Sequence, residues 1–238
     1  MKASDLFDLP ASMPFGHIFS PEAAPWEWVA RIGEAVQGFD FLRAEDMHPN
    51  IPEGVKITGK VFIHHSAKLP PYAVIQGPTW IGPEVEIRPG AYIRGKVIVG
   101  PGSVVGNSTE LKNCLLLEHV QAPHFNYVGD SVLGNKAHLG AGVICANLRL
   151  DQGPVIVNTP DGRADTGLRK LGALMGDASE AGCNAVLQPG TILGKAAAVM
   201  PTMAFGGYLE SGTLAFNRPV IGRVPRRDYP KSTPSVAR

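Results

Sequence analysis

The chain has no long apolar run, no excess charge of either sign and no pairs of neighbouring cysteines. No stretch reaches membrane-spanning length without a charge, a glycine or a proline, so nothing reads as a transmembrane helix. The first twenty residues, MKASDLFDLPASMPFGHIFS, contain Pro10 and Pro14 and lack a basic start followed by an apolar stretch, so they do not read as a secretory signal. Charged residues make up 18% of the chain, fewer than in an average soluble domain, and the net charge is +1. Basic residues are scattered except near the C-terminus, so there is no nucleic-acid footprint. Cys114, Cys145 and Cys183 are odd in number and far apart, which fits neither a disulfide framework nor a Cys-x-x-Cys metal site. These absences lead us to expect a soluble cytoplasmic protein with no membrane or nucleic-acid partner.

What is present is glycine, proline and a repeat. The 28 glycines and 21 prolines suit short strands joined by tight corners. The 238 residues are enough for one sizeable domain with appended segments, or for two small ones. From Ile63, every sixth residue is aliphatic: Ile63, Leu69, Ile75, Ile81, Ile87, Ile93, Val99, Val105, Leu111 and Leu117. Four places after each, the residues are nearly all small or β-branched, among them Ala67, Ala73, Thr79, Val85, Ala91, Ser103 and Thr109. A hexapeptide period of this kind specifies a parallel β-helix, in which each coil buries its side chains against the neighbouring coils. The expected fold is an all-β solenoid.

Three segments follow from the pattern: an N-terminal segment 1–54, a β-helix 55–205 and a C-terminal tail 206–238. In the first, Ser20 and Pro21 read as a helix start, with Trp26, Val29, Ile32 and Val36 at helical spacing over about 21–37. That amphipathic helix is expected to cap an open end of the solenoid. The hexads break after Leu117 and resume at Leu133, Leu139 and Cys145, which predicts a register slip within Glu118–Tyr127 containing His124. A second interruption runs from Asn147 to Arg169. Within it, residues 154–158 followed by Thr-Pro-Asp-Gly read as a β-hairpin leaving the solenoid, an insertion over about 150–169. The period returns at Met175, Ala181, Leu187, Leu193 and Val199, then fades beyond Pro201. The tail, with Arg218, Arg223, Arg226 and Arg227 among prolines, is expected to pack outside or fray.

Candidate chemistry gathers in the middle coils. Arg88 and Lys112 are a whole number of hexads apart and share an outward phase, and His124 and Tyr127 follow at the break. Two cations, a phenol and an imidazole suit a phosphorylated substrate with a proton to remove.

The run from Pro123 to Asp151, His-x-x-Tyr-Val-Gly-Asp-Ser-x-Leu-Gly followed by Leu-Gly-Ala-Gly, is preceded by Lys112 within Glu-Leu-Lys. It resembles the acetyltransferase domain of the bifunctional uridyltransferase/glucosamine-1-phosphate acetyltransferase, and particularly its archaeal-type sugar-1-phosphate relatives, over roughly Ile87 to Val199. The resemblance implies a left-handed parallel β-helix, acetyl-CoA as acyl donor with no metal, and a homotrimer with its sites between chains. It also implies that Arg88, Lys112 and Tyr127 bind the sugar phosphate and that His124 is the general base for the attacking 2-amino group. Asn147, Lys170 and His138 would lie on the sugar side, His138 standing where the family usually has asparagine. Ala141, Cys183 and Arg218 would lie on the CoA side. About 50 residues before the repeat cannot hold a nucleotidyltransferase domain, so uridyltransferase activity is expected to be absent. Two other readings stay open. One is a metal-dependent carbonic-anhydrase-like protein, suggested by the five-residue spacing of His119 and His124, with His64, His65 or His138 as a third ligand. The other is a non-catalytic sugar-phosphate-binding or assembly module.

Overall fold

A computed structural model describes residues 1–41, 46–218 and 221–224. Its body is a left-handed parallel β-helix of hexapeptide coils. Each coil has three sides, and like sides stack into three faces. On the first face the inward residues pair in register as Ile57↔Ile75, Ile75↔Ile93, Ile93↔Leu111, Leu111↔Val128, Val128↔Cys145, Cys145↔Leu187 and Leu187↔Phe205. The second face stacks Ile63, Ile81, Val99, Leu116, Leu133, Met175, Leu193 and Leu209. The third stacks Ile87, Val105, Ala122, Leu139, Ala181, Val199 and Ala215. The small residues at the fourth following places fill the space inside the corners: Ala67, Ala73, Val85, Ala91, Ala137, Ala185 and Ala197 are all buried.

Corners turn through left-handed residues. Lys96, Ser108, Asn113, Phe125, Asp130, Lys136 and Asn184 all have φ between 37° and 58°, and asparagine and aspartate tolerate that region because their short polar side chains bond locally. The register slip is not where the hexads alone put it. Val97 pairs with Cys114 while Ile93 pairs with Leu111, so the coil loses one residue between Leu111 and Cys114. Leu116, not Leu117, then points inward. The next coil keeps the shorter length, with Ser131 over Cys114 and Leu133 over Leu116. His124 lies outside this shortening, at the end of the regular strand Gln121–His124.

The repeat also runs past 205, through Tyr208–Leu209 and Leu214–Ala215, so the solenoid includes part of the expected tail. Arg226 and Arg227 lie outside the described residues. Cys114 and Cys145 are wholly buried, and burial pushes the Cys145 thiol up to about 12.

The helix spans Pro25–Gln37 and not 21–37. Pro25 dictates this, because a helix begun at Pro21 would drive the Pro25 ring against the carbonyl four residues back, whereas at the first helical position the ring does no harm. Its buried face is Trp28, Val29, Ile32, Ala35 and Val36. That face does not close an end of the solenoid but lies along the second face, against an outward row of Phe62, Trp80, Ile98, Leu115 and Val132. The second-face strands are therefore buried on both sides. Phe7 stacks on Trp28 at 5.2 Å and Phe15 meets Trp80 edge-on at 5.6 Å, so the irregular segment before the helix belongs to the same core. The hairpin Ile156–Thr159 and Gly162–Asp165 forms as expected but does not leave the solenoid. Val155 and Val157 pack into the upper part of that row with Leu174 and Ile192. With the second face covered, the first and third faces carry the remaining exposed side chains of the middle coils.

Candidate acetyl-transfer site

On the first face, residues beside each inward aliphatic point outward. Arg94, Lys112, Gly129 and Ala146 therefore follow one another up the face, one per coil. Arg88 does not join them. Three hexads make one coil, so a shared hexad phase does not mean a shared face. Arg88 follows Ile87 on the third face, where its Nε donates to Glu86 at 2.7 Å. The arginine one coil below Lys112 is Arg94, which pairs with Glu110 at 2.7 Å and lies 5.8 Å over the Tyr92 ring.

At the shortened corner Lys112 donates to both oxygens of Asp130, at 2.9 and 2.8 Å. Asn113 Nδ2 donates to Oδ1 at 2.8 Å, and Asn147 Nδ2, one coil up, donates to Oδ2. The carboxylate is only 4% exposed, so these charge-assisted bonds replace its water. Tyr127 stands beside Asn147, the hydroxyl of one and the amide of the other both lying next to Gly129. Burial pushes the phenol above its usual range, and the negative charges of Asp130 and Glu110 add to the shift. Gly129 makes room for this pair: a Cβ there would lie 2.6 Å from the Tyr127 hydroxyl and 2.7 Å from Asn147 Nδ2. A cavity of about 320 Å³ opens beside the corner, lined by Gly77, Pro78, Arg94, Gly95, Lys96, Lys112, Asn113 and Asp130.

The corner between the third and first faces carries a second group. His124 is exposed and enters a tight turn in which its backbone N–H donates to Asn126 Oδ1 at 3.2 Å. Asn126 is 2% exposed and donates its amide to the Gly140 carbonyl at 2.7 Å, so it ties this turn to the coil above. Hydrogen bonds from Gly142 N–H to the His124 carbonyl, from Asn184 N–H to that of Ala141 and from Thr202 N–H to that of Cys183 build this corner upward. His124, Ala141 and Cys183 thus stack on successive coils.

Of the ten residues singled out in the sequence, the chain brings Lys112, Tyr127 and Asn147 together and stacks His124, Ala141 and Cys183 on the adjoining corner. Lys170 is exposed and bridges back to Leu148, next to Asn147. His138 is on the third face, between Gln121 and Glu180, and Arg218 rests on Phe216 at 5.3 Å at the far end. Asp130, Asn113 and Asn126 were missed. The signal for them was available, since each is a polar residue at a corner position of a coil whose spacing departs from six or whose small corner residue is absent. His119 lies in the turn that precedes the strand Gln121–His124, which His124 ends, and among the described residues no group of three or more His, Cys, Asp or Glu side chains is gathered to hold a metal ion.

A family model described as the GMPPB C-terminal domain matches residues 75–160. The uncharacterized acetyltransferase YaiX of Escherichia coli O6:K15:H31 is 34% identical over 211 residues, which are 85% of this chain and 92% of YaiX. The bifunctional sugar-1-phosphate nucleotidylyltransferase/acetyltransferase of Sulfurisphaera tokodaii is 39% identical over 152 residues, 64% of this chain and 38% of its own length. The bifunctional protein GlmU of Methanococcus maripaludis is 42% identical over 144 residues, 60% of this chain and 35% of its own. The chain spans well under half the length of these two bifunctional relatives and nearly all of YaiX. No helix among the described residues is long and apolar enough to cross a membrane.

Proposed function

Because the chain belongs to the hexapeptide-repeat acetyltransferases, we propose that it transfers the acetyl group of acetyl-CoA to the 2-amino group of an amino-sugar 1-phosphate such as glucosamine-1-phosphate. The observation that carries this reading is the cluster of Lys112, Asp130, Asn147 and Tyr127 around Gly129, a single side of a coil away from the exposed imidazole of His124. The cluster supplies a cation, amide groups and a phenol at fixed positions, which suits a sugar hydroxyl and phosphate. His124 supplies a base whose ordinary pKa lies near neutrality.

In this reading the sugar amine attacks the thioester carbonyl, a C–N bond forms, and the C–S bond breaks to release CoA. His124 accepts the proton that the amine loses and returns it to the departing thiolate. Arg94 takes the place expected of Arg88, because it stands directly below Lys112 and lines the same cavity. The stack of Ala141 and Cys183 above His124 offers a continuous edge along which the pantetheine arm would run toward Arg218. Lys170 would reach the sugar from beside Asn147. His138 and Arg88, on the third face, would act on a site made with a neighbouring copy. Such a site would be built in the homotrimer that the resemblance implies, for which exposed Tyr72, Val74 and Tyr92 on the first face would offer apolar surface.

The test is thiol release from acetyl-CoA in the presence of glucosamine-1-phosphate, galactosamine-1-phosphate and nucleotide-linked amino sugars. Turnover on a sugar 1-phosphate is the expected result. If none of these releases thiol and calorimetry detects binding of none of them, the reading is wrong.

A further inference from the structure

Asp130 is the most deeply buried charged group of the acceptor-side cluster, at the edge of the cavity that Lys112 and Arg94 line. It has a φ of 48° at a corner shortened by one residue, as the Asn113 corner directly below also is. A carboxylate in such a place is costly unless its oxygens are satisfied, and a corner needs only a compact residue able to turn left-handed. Asparagine would meet the backbone demand, as it does at Asn113 in the coil beneath. The charge therefore calls for an explanation other than the turn.

Its partners supply one. Oδ1 accepts from Lys112 Nζ at 2.9 Å and from Asn113 Nδ2 at 2.8 Å, while Oδ2 accepts from Lys112 Nζ at 2.8 Å and from Asn147 Nδ2. These donors come from the coil below, and from the coil above through Asn147. An ammonium has three N–H donors, so Lys112 spends two on Asp130 and keeps one. A primary amide held by its nitrogen has its carbonyl oxygen fixed on the other side, which decides what Asn147 offers outward. Both Lys112 and Asn147 would otherwise swing on flexible side chains.

We propose that Asp130 is the positioning residue of the acceptor site, locking Lys112 and Asn147, from coils on either side of it, into one sugar-phosphate-binding geometry. The proposal rests on the reading of this face as the amino-sugar phosphate site. A simple counter-ion would behave in the opposite way, because it competes with phosphate for Lys112. Removing its charge would then tighten phosphate binding, whereas removing a positioning group loosens it.

Asp130→Asn in the full-length protein separates the two, since it keeps the shape and deletes the charge. In the thiol-release assay the KM for the sugar phosphate should rise about tenfold or more, with kcat and the KM for acetyl-CoA within about threefold of wild type. Asn147→Ala should add little in the Asp130→Asn background, because the geometry it depends on is already lost. Should Asp130→Asn fail to fold by circular dichroism, Asn113→Gly keeps the left-handed backbone, removes one donor to Oδ1 and should raise the same KM in the same direction. A sugar-phosphate KM that is unchanged or lowered in these variants overturns the positioning role and leaves the acetyltransferase reading standing. A wild-type protein that neither turns over nor binds any amino-sugar phosphate removes that reading, and the positioning role with it.

Discussion

Lys112 Nζ lies within hydrogen-bond distance of both carboxylate oxygens of Asp130, at 2.9 and 2.8 Å, although the two residues are one coil apart in the chain. The bond exists because two successive coils each lack one residue at this corner, which sets Gly129 over Lys112 and brings Asp130 to the turn. The Lys112 side chain is 27% exposed and that of Asp130 5%, so water does little to replace the pair. Lys112→Met should strand the carboxylate with only its two amide donors. We expect a loss of about 2–3 kcal/mol in urea unfolding, toward the lower end of what breaking a buried pair costs, because Asn113 and Asn147 remain. The sugar-phosphate KM should rise at the same time.

His124 tests the chemistry. Its side chain is exposed and its backbone is pinned by Asn126, so replacing the imidazole disturbs little structure. His124→Ala should lower kcat by about 10²- to 10⁴-fold, the usual contribution of a general base, with the sugar-phosphate KM and the urea midpoint near wild type. Turnover that survives this substitution unchanged would move the base elsewhere.

The hexad spacing made most of the fold legible, because the inward row is a strict function of position once three hexads close a coil. The candidate site was legible mainly through one motif, whose Lys112, Tyr127 and Asn147 the fold brings together around Asp130 and Gly129. Two things were hidden by the same spacing. Phase along the chain does not reveal which of three faces a residue occupies, so Arg88 was paired with Lys112 although Arg94 is its neighbour. A slip located by the next clear aliphatic residue comes out late, because Leu117 is as aliphatic as Leu116 and is buried too, but against the outside of the coil. The cue was in the second-face strands: Phe62, Trp80, Ile98 and Leu115 each precede an inward residue and are apolar where the other two faces are mixed.

Tyr127 gives a pH signature. Its phenol is held above its ordinary value of 10 by burial first and by the charges of Asp130 and Glu110 next. A raised folded-state pKa means that the folded protein holds this proton more tightly than the unfolded chain. Its contribution to stability is therefore complete below pH 10 and is lost as the pH climbs through the folded-state value. Ultraviolet difference titration should show Tyr127 ionising later than the exposed tyrosines, together with Tyr208, whose phenol burial also pushes up, and Tyr127→Phe should remove its share of that late step. Activity limited by Tyr127 should stay level up to about pH 10, because the hydroxyl remains a neutral donor. A phenol that ionises with the exposed tyrosines would contradict the closed arrangement over Gly129.

The covered second face predicts where stability resides. Trp80 is 4% exposed although it points away from the solenoid interior, and it is stacked on Phe62 at 6.1 Å and met edge-on by Phe15. Trp80→Ala should cost about 3–5 kcal/mol, as for a large aromatic removed from a packed core. The loss should appear mainly as release of the N-terminal segment, because the coil keeps its own inward residues Ile81 and Val85. Limited proteolysis should then cut within the first forty residues at lower denaturant than in wild type, while far-ultraviolet dichroism of the β-helix holds. If the segment were only a loosely attached appendage, the substitution would leave both the proteolysis pattern and the urea midpoint unchanged. The aromatic contacts and the backbone bond from Asp177 N–H to the Leu6 carbonyl argue that it is an integral layer of the fold.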